Sequence, residues 1–305
     1  KSRTERIILG GKNYMKKKNV GDWIFDGVIY IILTGLVFVC AYPVWYVLVA
    51  SFCDSSDIAR NTGLLLWPPK FDFGAYNLVF TNRNILNGFK NTLLVLGLGL
   101  PINIVMTLFC GYFLSCTNMY WKKLISGMIM FTMFFGGGMI PGLLNIRSLG
   151  LYNTVWSLIL PGAMSVYNAI ICKTAIEGIP ESLKESAYVD GANDLQILFK
   201  VITPLIKATL AVLLLYYFVG HWNSWFNASI YIKDMDKLPL QNIIRSILTA
   251  NSVSENNEMS GDKFSAYAET MKYAAIVVST VPVMCVYPFL QKHFTKGVMI
   301  GAVKG

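Results

Sequence analysis

An all-α membrane protein of six spanning helices is the fold class this sequence predicts, on three observations. Apolar residues make up 54% of the chain and charged residues only 14%, whereas a soluble domain carries about 25% charged residues. Mean hydropathy is +0.51. Charge-poor apolar runs recur at roughly the 20 residues needed to cross a bilayer as a helix.

The runs cover residues 28–50, 91–116, 124–146, 148–172, 208–232 and 273–291. Arg147 separates the third from the fourth, and His221 is the one strongly polar ionisable group inside the fifth. None of the spans places Asp, Glu, Lys or Arg at its centre, where an ion-coupled carrier usually keeps its coupling group. Basic residues cluster before Trp23, at Trp121-Lys122-Lys123, in the segment after Cys172 and near the end of the chain. Positive charge of this kind stays on the cytoplasmic side, so both termini are expected inside. The basic clusters would then face the anionic inner leaflet and its lipid.

The net charge of +9 follows these membrane-flanking positions and forms no single stripe with aromatic platforms, so no nucleic-acid partner is expected. The N-terminal stretch lacks the apolar core of a signal peptide and is expected to be a cytoplasmic arm. Six cysteines with no CxxC pair suit packing, because a buried thiol behaves as a small hydrophobe. Only two histidines, His221 and His293, are present, so no metal site can be drawn. There is no Ser/His/Asp set and no glycine-rich phosphate loop, hence no catalytic residue is expected. No internal duplication of the kind found in many secondary carriers is visible.

Between the fourth and fifth runs lies a polar segment, about 179–204. Pro180-Glu181 suits a helix start, since proline fits the first turn and an acidic group suits the dipole there. Asp190-Gly191 stops that helix near Val189, because glycine takes the positive φ a helix end requires. Asn193 can cap a second short helix before Pro204. Two short helices joined at a glycine make a rigid knuckle.

At these residues the chain resembles the permease subunits of ATP-binding-cassette importers. Their loop carries Glu-Ala-Ala, three residues, Gly, nine residues, then Ile-x-Leu-Pro. Here Glu185-Ser186-Ala187 precedes Gly191, and Pro204 falls in place, while Val201 and Thr203 depart from the tail of that pattern. The segment from Ile179 through Asp190-Gly191-Ala192 and the terminus Gly301-Ala302-Val303-Lys304-Gly305 resemble the carbohydrate-uptake branch, in particular its MalG-like subunits. The resemblance implies the type I importer permease fold in a bacterial cytoplasmic membrane. It implies ATPase coupling through Glu185, Ser186, Ala187, Asp190, Gly191 and Ala192, and a tail reaching the ATPases through Gly301, Val303, Lys304 and Gly305. It also implies a second permease subunit in a heterodimer, two copies of an ABC ATPase that bind ATP and Mg²⁺, and an extracellular sugar-binding protein. No cofactor is expected in this chain itself.

The organisation expected is a cytoplasmic arm (1–22), a first span with an outer loop (23–86), a permease core (87–294) and a cytoplasmic tail (295–305). Outer segments 51–90 and 227–271 would meet the binding protein. A sugar path is suggested by aromatic and amide side chains, which stack on sugar C–H faces and hydrogen-bond hydroxyls: Tyr217, His221, Trp222, Asn223 and Trp225 in the fifth run, Tyr167 and Asn168 in the fourth. Aromatics also gather at membrane interfaces and amides join neighbouring helices, so a packing role stands equally for these. The other functional readings are an ion-gradient-driven secondary carrier and a non-transporting membrane scaffold.

Overall fold

The computed structural model describes residues 20–60, 63–116, 120–250, 267, 269–286 and 288. The helices are α1 (Val20–Ala50), α2 (Ser55–Arg60), α3 (Gly74–Thr81), α4 (Arg83–Ser115), α5 (Lys122–Phe134), α6 (Met139–Ser148), α7 (Trp156–Ile159) and α8 (Val166–Glu177). They continue with α9 (Glu181–Val189), α10 (Asp194–Gln196), α11 (Thr203–Leu205), α12 (Lys207–Trp222), α13 (Phe226–Tyr231) and α14 (Leu240–Ala250), followed by α15 (Glu269–Val286). Among the described residues there is no strand.

Three helices, α1, α4 and α15, are long and apolar enough to cross a bilayer unbroken. The third and fourth expected spans are interrupted: α5 and α6 meet at 117°, and the α7 segment and α8 at 50°. α12, in the fifth, lies at 88° to the 194–205 segment of the polar loop before it. The first break falls at Phe135–Gly138, where Gly138 takes φ +87°, a backbone region open to glycine and costly to most residues. The fifth span also ends earlier than hydropathy suggests. α12 stops at Trp222, and Asn223 closes it by donating its N–H to Val219 O at 3.1 Å; residues 226–231 form the separate α13.

The centre of the fold is α4. Asn82 caps it, its side chain accepting from the N–H of Asn84 and Ile85 at 2.9 and 3.3 Å, which satisfies two of the donors orphaned at a helix start. Small residues let partners approach closely, as membrane helix packing requires. A Cβ placed on Gly111 would lie 2.8 Å from Cys172 Sγ on α8, and one on Gly88 would lie 3.0 Å from the Leu240 Cα that begins α14. Three apolar clusters surround α4. One joins Leu96 and Trp222 to α14 and α15; another joins Leu108 to Cys172, Ile176, Ile197, Leu198, Ile202 and Leu213; the third joins Val95 to Ile146, Ile159 and Tyr231. α1 stands apart. Its apolar window is unburied among the described residues, and near its end Val49, Ala50, Cys53 and Leu65 pack with Tyr46 and Tyr273. A helix apolar all round suits lipid or another apolar chain.

Candidate functional site: the polar knuckle and the cleft beside the broken helix

The knuckle forms as its residues dictate. α9 ends with Asp190 N–H donating to Ser186 O, Gly191 N–H to Tyr188 O and Ala192 N–H to Ala187 O, each at 3.0 Å. The last two bonds make a Schellman closure, with Gly191 in the left-handed position at φ +81°. Ala187 and Ala192, which that closure brings together, are half-buried against the Ile197–Ile202 cluster. Asn193 then opens α10 through a reciprocal capping box: its Oδ1 accepts from Gln196 N–H at 2.9 Å, and Gln196 Oε1 accepts from Asn193 N–H at 3.0 Å.

Residues Ile197–Ile202 follow as a wide, π-type turn. Pro204 has no N–H to extend a normal helix, and Thr203 Oγ1 donates to Leu198 O at 2.8 Å. Ile197, Leu198 and Ile202 are fully buried there, anchoring the knuckle to the bundle.

Glu185, Ser186, Asp190 and Gly191 remain exposed, while Ala187 and Ala192 form the inner side. An added Cβ at Gly191 would meet nothing within 4 Å. The knuckle thus presents a preformed outer surface. A second fastening ties it to α4: Tyr188 and Tyr112 both donate their hydroxyls to Asp194 Oδ1, at 2.5 and 2.9 Å. Hydrogen bonds from Tyr188 and then Tyr112 hold the Asp194 carboxyl below the usual carboxylate range, because donors favour the ionised form. Tyr112, Tyr188 and Asp194 line a cleft of about 420 Å³ together with Glu181, Lys184 and Glu185.

A separate cleft of about 300 Å³ lies where the fourth span breaks. Between the turn Leu160–Gly162 and α8 the backbone is not helical, a state tolerated at membrane depth only where the backbone is buried in protein or lines a cavity. Side chains from α4 and α12 satisfy it. Asn103 Nδ2 donates to Gly162 O and Ala163 O at 2.8 and 3.0 Å, and Ser165 N–H donates to Tyr217 OH at 2.9 Å. Tyr217 OH also pairs with Thr107 Oγ1 at 2.7 Å. With its amide committed to those carbonyls, Asn103 can only accept at Oδ1, so His221 Nε2, 2.7 Å away, carries the hydrogen. Gly99 makes room for this imidazole, since a Cβ there would sit 3.1 Å from Nε2.

Asn168, Tyr217 and His221 therefore share one cleft, with Ser165, Tyr216 and Asn227 beside them. The other residues expected on a sugar path lie elsewhere. Tyr167 is exposed in α8's first turn and does not line the cleft as described, and Asn223 is the exposed closing residue of α12. Trp222 is buried in the cluster with Leu96 and Ile243, its Nε1–H donating to Ser279 O at 3.2 Å. Trp225 lies under the Arg245 guanidinium, 3.5 Å from ring centroid to Cζ, a cation–π contact. Asn103 and Thr107 were missed, although an Asn inside an apolar run is a usable signal. The tail residues Gly301, Val303, Lys304 and Gly305 lie outside the described residues.

Comparison with known proteins adds four findings. The family described as binding-protein-dependent transport system inner membrane component matches residues 83–300. The polygalacturonan/rhamnogalacturonan transport system permease protein YtcP of Bacillus subtilis (strain 168) is 37% identical over 284 residues, covering 92% of this chain and 99% of that protein. Protein LplC of the same organism is 34% identical over 282 residues, 92% and 95% of the two chains. Among solved structures, a chain of a bacterial ABC transporter involved in import of the acidic polysaccharide alginate superposes with a TM-score of 0.83. It is 31% identical and covers 90% of this chain and 98% of that one.

Proposed function

The chain belongs to the family of binding-protein-dependent transport system inner membrane components, and from that premise we propose how its two sites divide the work. It is a membrane permease subunit of a sugar or oligosaccharide ABC importer. A transport permease component does no chemistry of its own, and hydrolysis of Mg·ATP falls to partner subunits. A second permease completes the path, and both termini of this chain face the cytoplasm, as the distribution of lysine and arginine favours.

In this reading the knuckle couples. The exposed, capped turn from Glu185 to Ala192 docks with an ATPase, and closure of the paired ATPases on ATP pushes it as a unit. Its motion reaches the bundle through the buried Ile197, Leu198 and Ile202 and through the Tyr112–Asp194–Tyr188 fastening to α4. The same α4 carries Asn103 and Thr107 at the cleft. Force applied at one end of this helix is thus delivered to the side chains that hold the broken span open. A loaded binding protein docks outside, the permeases open outward to receive the sugar, and hydrolysis resets them. Absence of a charged group at the span centres argues against an ion-coupled carrier, and a preformed cleft inside the bundle argues against a scaffold.

The single observation that carries the path is the interrupted fourth span, whose exposed backbone is satisfied by Asn103 and Tyr217. Interrupted helices of this sort are where transporters hold their substrates. Among the described residues the lining contains Ser165, Asn168, Tyr216, Tyr217, His221 and Asn227 and no carboxylate, and the N-terminus of the twelve-residue α8 supplies a positive dipole end there. That balance suits an oligosaccharide bearing carboxylates, as do the substrates named for the polygalacturonan permease and the alginate transporter. The test is uptake into proteoliposomes holding the full complex, with acidic and neutral oligosaccharides in competition. Inhibition by uronate oligomers with none by neutral oligomers of equal length is expected; equal inhibition by both removes the acidic assignment.

A further inference from the structure

The polar groups around the broken fourth span fall into two sets. Asn103, Thr107 and Tyr217 are committed to the freed backbone and to one another. The Asn168 side chain is committed to nothing. Asn168 is 5% exposed and lines the cleft of about 300 Å³. Its backbone N–H donates to Ser165 Oγ at 3.4 Å, but its amide, with two donor hydrogens and an acceptor oxygen, has no partner among the described residues. Nor is that amide sealed in packing: the side-chain atoms there that lack both a partner and accessible surface are Ser126 Oγ and Asn242 Oδ1. A buried polar group is ordinarily paired, so an open one on a cavity wall is completed by what the cavity receives. His221 belongs to both sets. Its Nε2–H goes to Asn103 Oδ1 at 2.7 Å, which makes Nδ1 of the neutral imidazole an acceptor. That nitrogen also has no partner among the described residues and keeps accessible surface, in a residue that lines the same cleft.

We propose that Asn168 and His221 are a specificity-determining pair that reads the ring hydroxyls of the translocated oligosaccharide. One hydroxyl donates to His221 Nδ1. The Asn168 amide takes a neighbouring pair, accepting from one hydroxyl at Oδ1 and donating to the other from Nδ2. Two open acceptors call for a solute that brings hydrogens, and adjacent sugar hydroxyls bring them. A carboxylate brings none, so in an acidic oligomer the pair reads the hydroxyls of the ring and not its charge. His221 also ties the solute to the broken span: a hydroxyl donated to Nδ1 polarises the Nε2–H bond to Asn103 and, through it, the bonds to Gly162 O and Ala163 O. The inference rests on the reading of this cleft as the sugar path and holds for acidic and neutral oligomers alike.

The test is ATP-driven uptake into proteoliposomes holding the full complex and one binding protein. The probes are a trisaccharide, uronate or neutral, that the wild type imports, and the set of its monodeoxy analogues. The same binding protein serves every variant, so its own preference cancels in each variant-to-wild-type ratio. His221→Gln, whose amide N–H can still reach Asn103, should lower kcat/KM for the parent about fivefold through one lost hydrogen bond, and Asn168→Leu about thirtyfold through two. Each variant should no longer distinguish the parent from the analogue lacking the hydroxyl that its residue reads, while the wild type does. Asn168→Leu should also unfold at a temperature no lower than the wild type, since no side-chain hydrogen bond within the chain is lost. Parent and analogues lowered by one common factor in both variants, as a structural defect or a lost water would give, overturns the pair and leaves the sugar path standing. A wild-type complex that imports neither a uronate nor a neutral trisaccharide removes the sugar path, and the pair falls with it.

Discussion

Replacement of Gly191 separates backbone geometry from surface contact at the knuckle. Its φ of +81° costs an L-residue about 1–2 kcal/mol, and more for a β-branched one. No atom of the chain lies within 4 Å of a Cβ there, so the penalty within this chain is conformational alone. If Gly191→Val breaks the Schellman closure, the bonds to Tyr188 O and Ala187 O go too, each worth about 1 kcal/mol. A shift of about 2 kcal/mol lowers the population of the closed knuckle relative to the open one roughly thirtyfold. The assay is uptake together with ATP hydrolysis in proteoliposomes, with and without loaded binding protein. Gly191→Val should retain basal hydrolysis by the partner ATPase and lose most uptake per ATP, whereas Gly191→Asn, which enters the left-handed region more readily, should recover much of it. Uptake per ATP unchanged in Gly191→Val refutes the reasoning. An Asn variant as poor as Val would refute the conformational cause and implicate the surface instead.

Further expectations follow from the same geometry. Gly111→Val drives a side chain into Cys172, whose Sγ lies 2.8 Å from an added Cβ; overpacking of about 1–3 kcal/mol should lower the thermal unfolding midpoint of the detergent-solubilised protein, while Gly97→Ala, with nothing within 4 Å, should not. Tyr217→Phe leaves the Ser165 N–H without its acceptor, and a buried unpaired donor costs about 1–3 kcal/mol; uptake should fall more than Tyr216→Phe makes it fall. Asp194 is held below the ordinary carboxylate range by Tyr188 and Tyr112. Its contribution is therefore fully present above the usual carboxylate pKa and is lost as pH falls through the lowered value. Amide exchange across residues 186–196 should accelerate on that acidification, and Asp194→Asn should abolish the pH step.

The knuckle was legible because its signals are local: Pro180 ahead of Glu181, Asp190-Gly191 at the stop and Asn193 at the restart each act within four residues. The cleft was legible only in part. Asn168, Tyr217 and His221 stood out as polar groups in apolar runs, but their partners Asn103 and Thr107 are 118 and 110 residues from His221 and Tyr217, and only folding brings them together. Trp222 illustrates the converse, since composition cannot tell a ring facing a path from one packed on Leu96 and Ile243. Hydropathy also overran the fifth span, because Asn223 and Ser224 barely lower a window average while their backbone ends the helix. The break in the third span falls at the glycines 136–138, a local signal, whereas the break in the fourth depends on Asn103, some 60 residues away, to satisfy the freed carbonyls.

The central claim is that this chain couples an ATPase to sugar entry through the knuckle, and the most direct measurement is site-specific cross-linking from Glu185 within the native membrane, followed by identification of the adduct. The account predicts a nucleotide-binding ATPase as the adduct of Glu185→Cys, with cross-linking lost when the cysteine is placed instead at the buried Ile197. Cross-links confined to lipid, or to proteins without a nucleotide-binding domain, in membranes that import the sugar on ATP would contradict it.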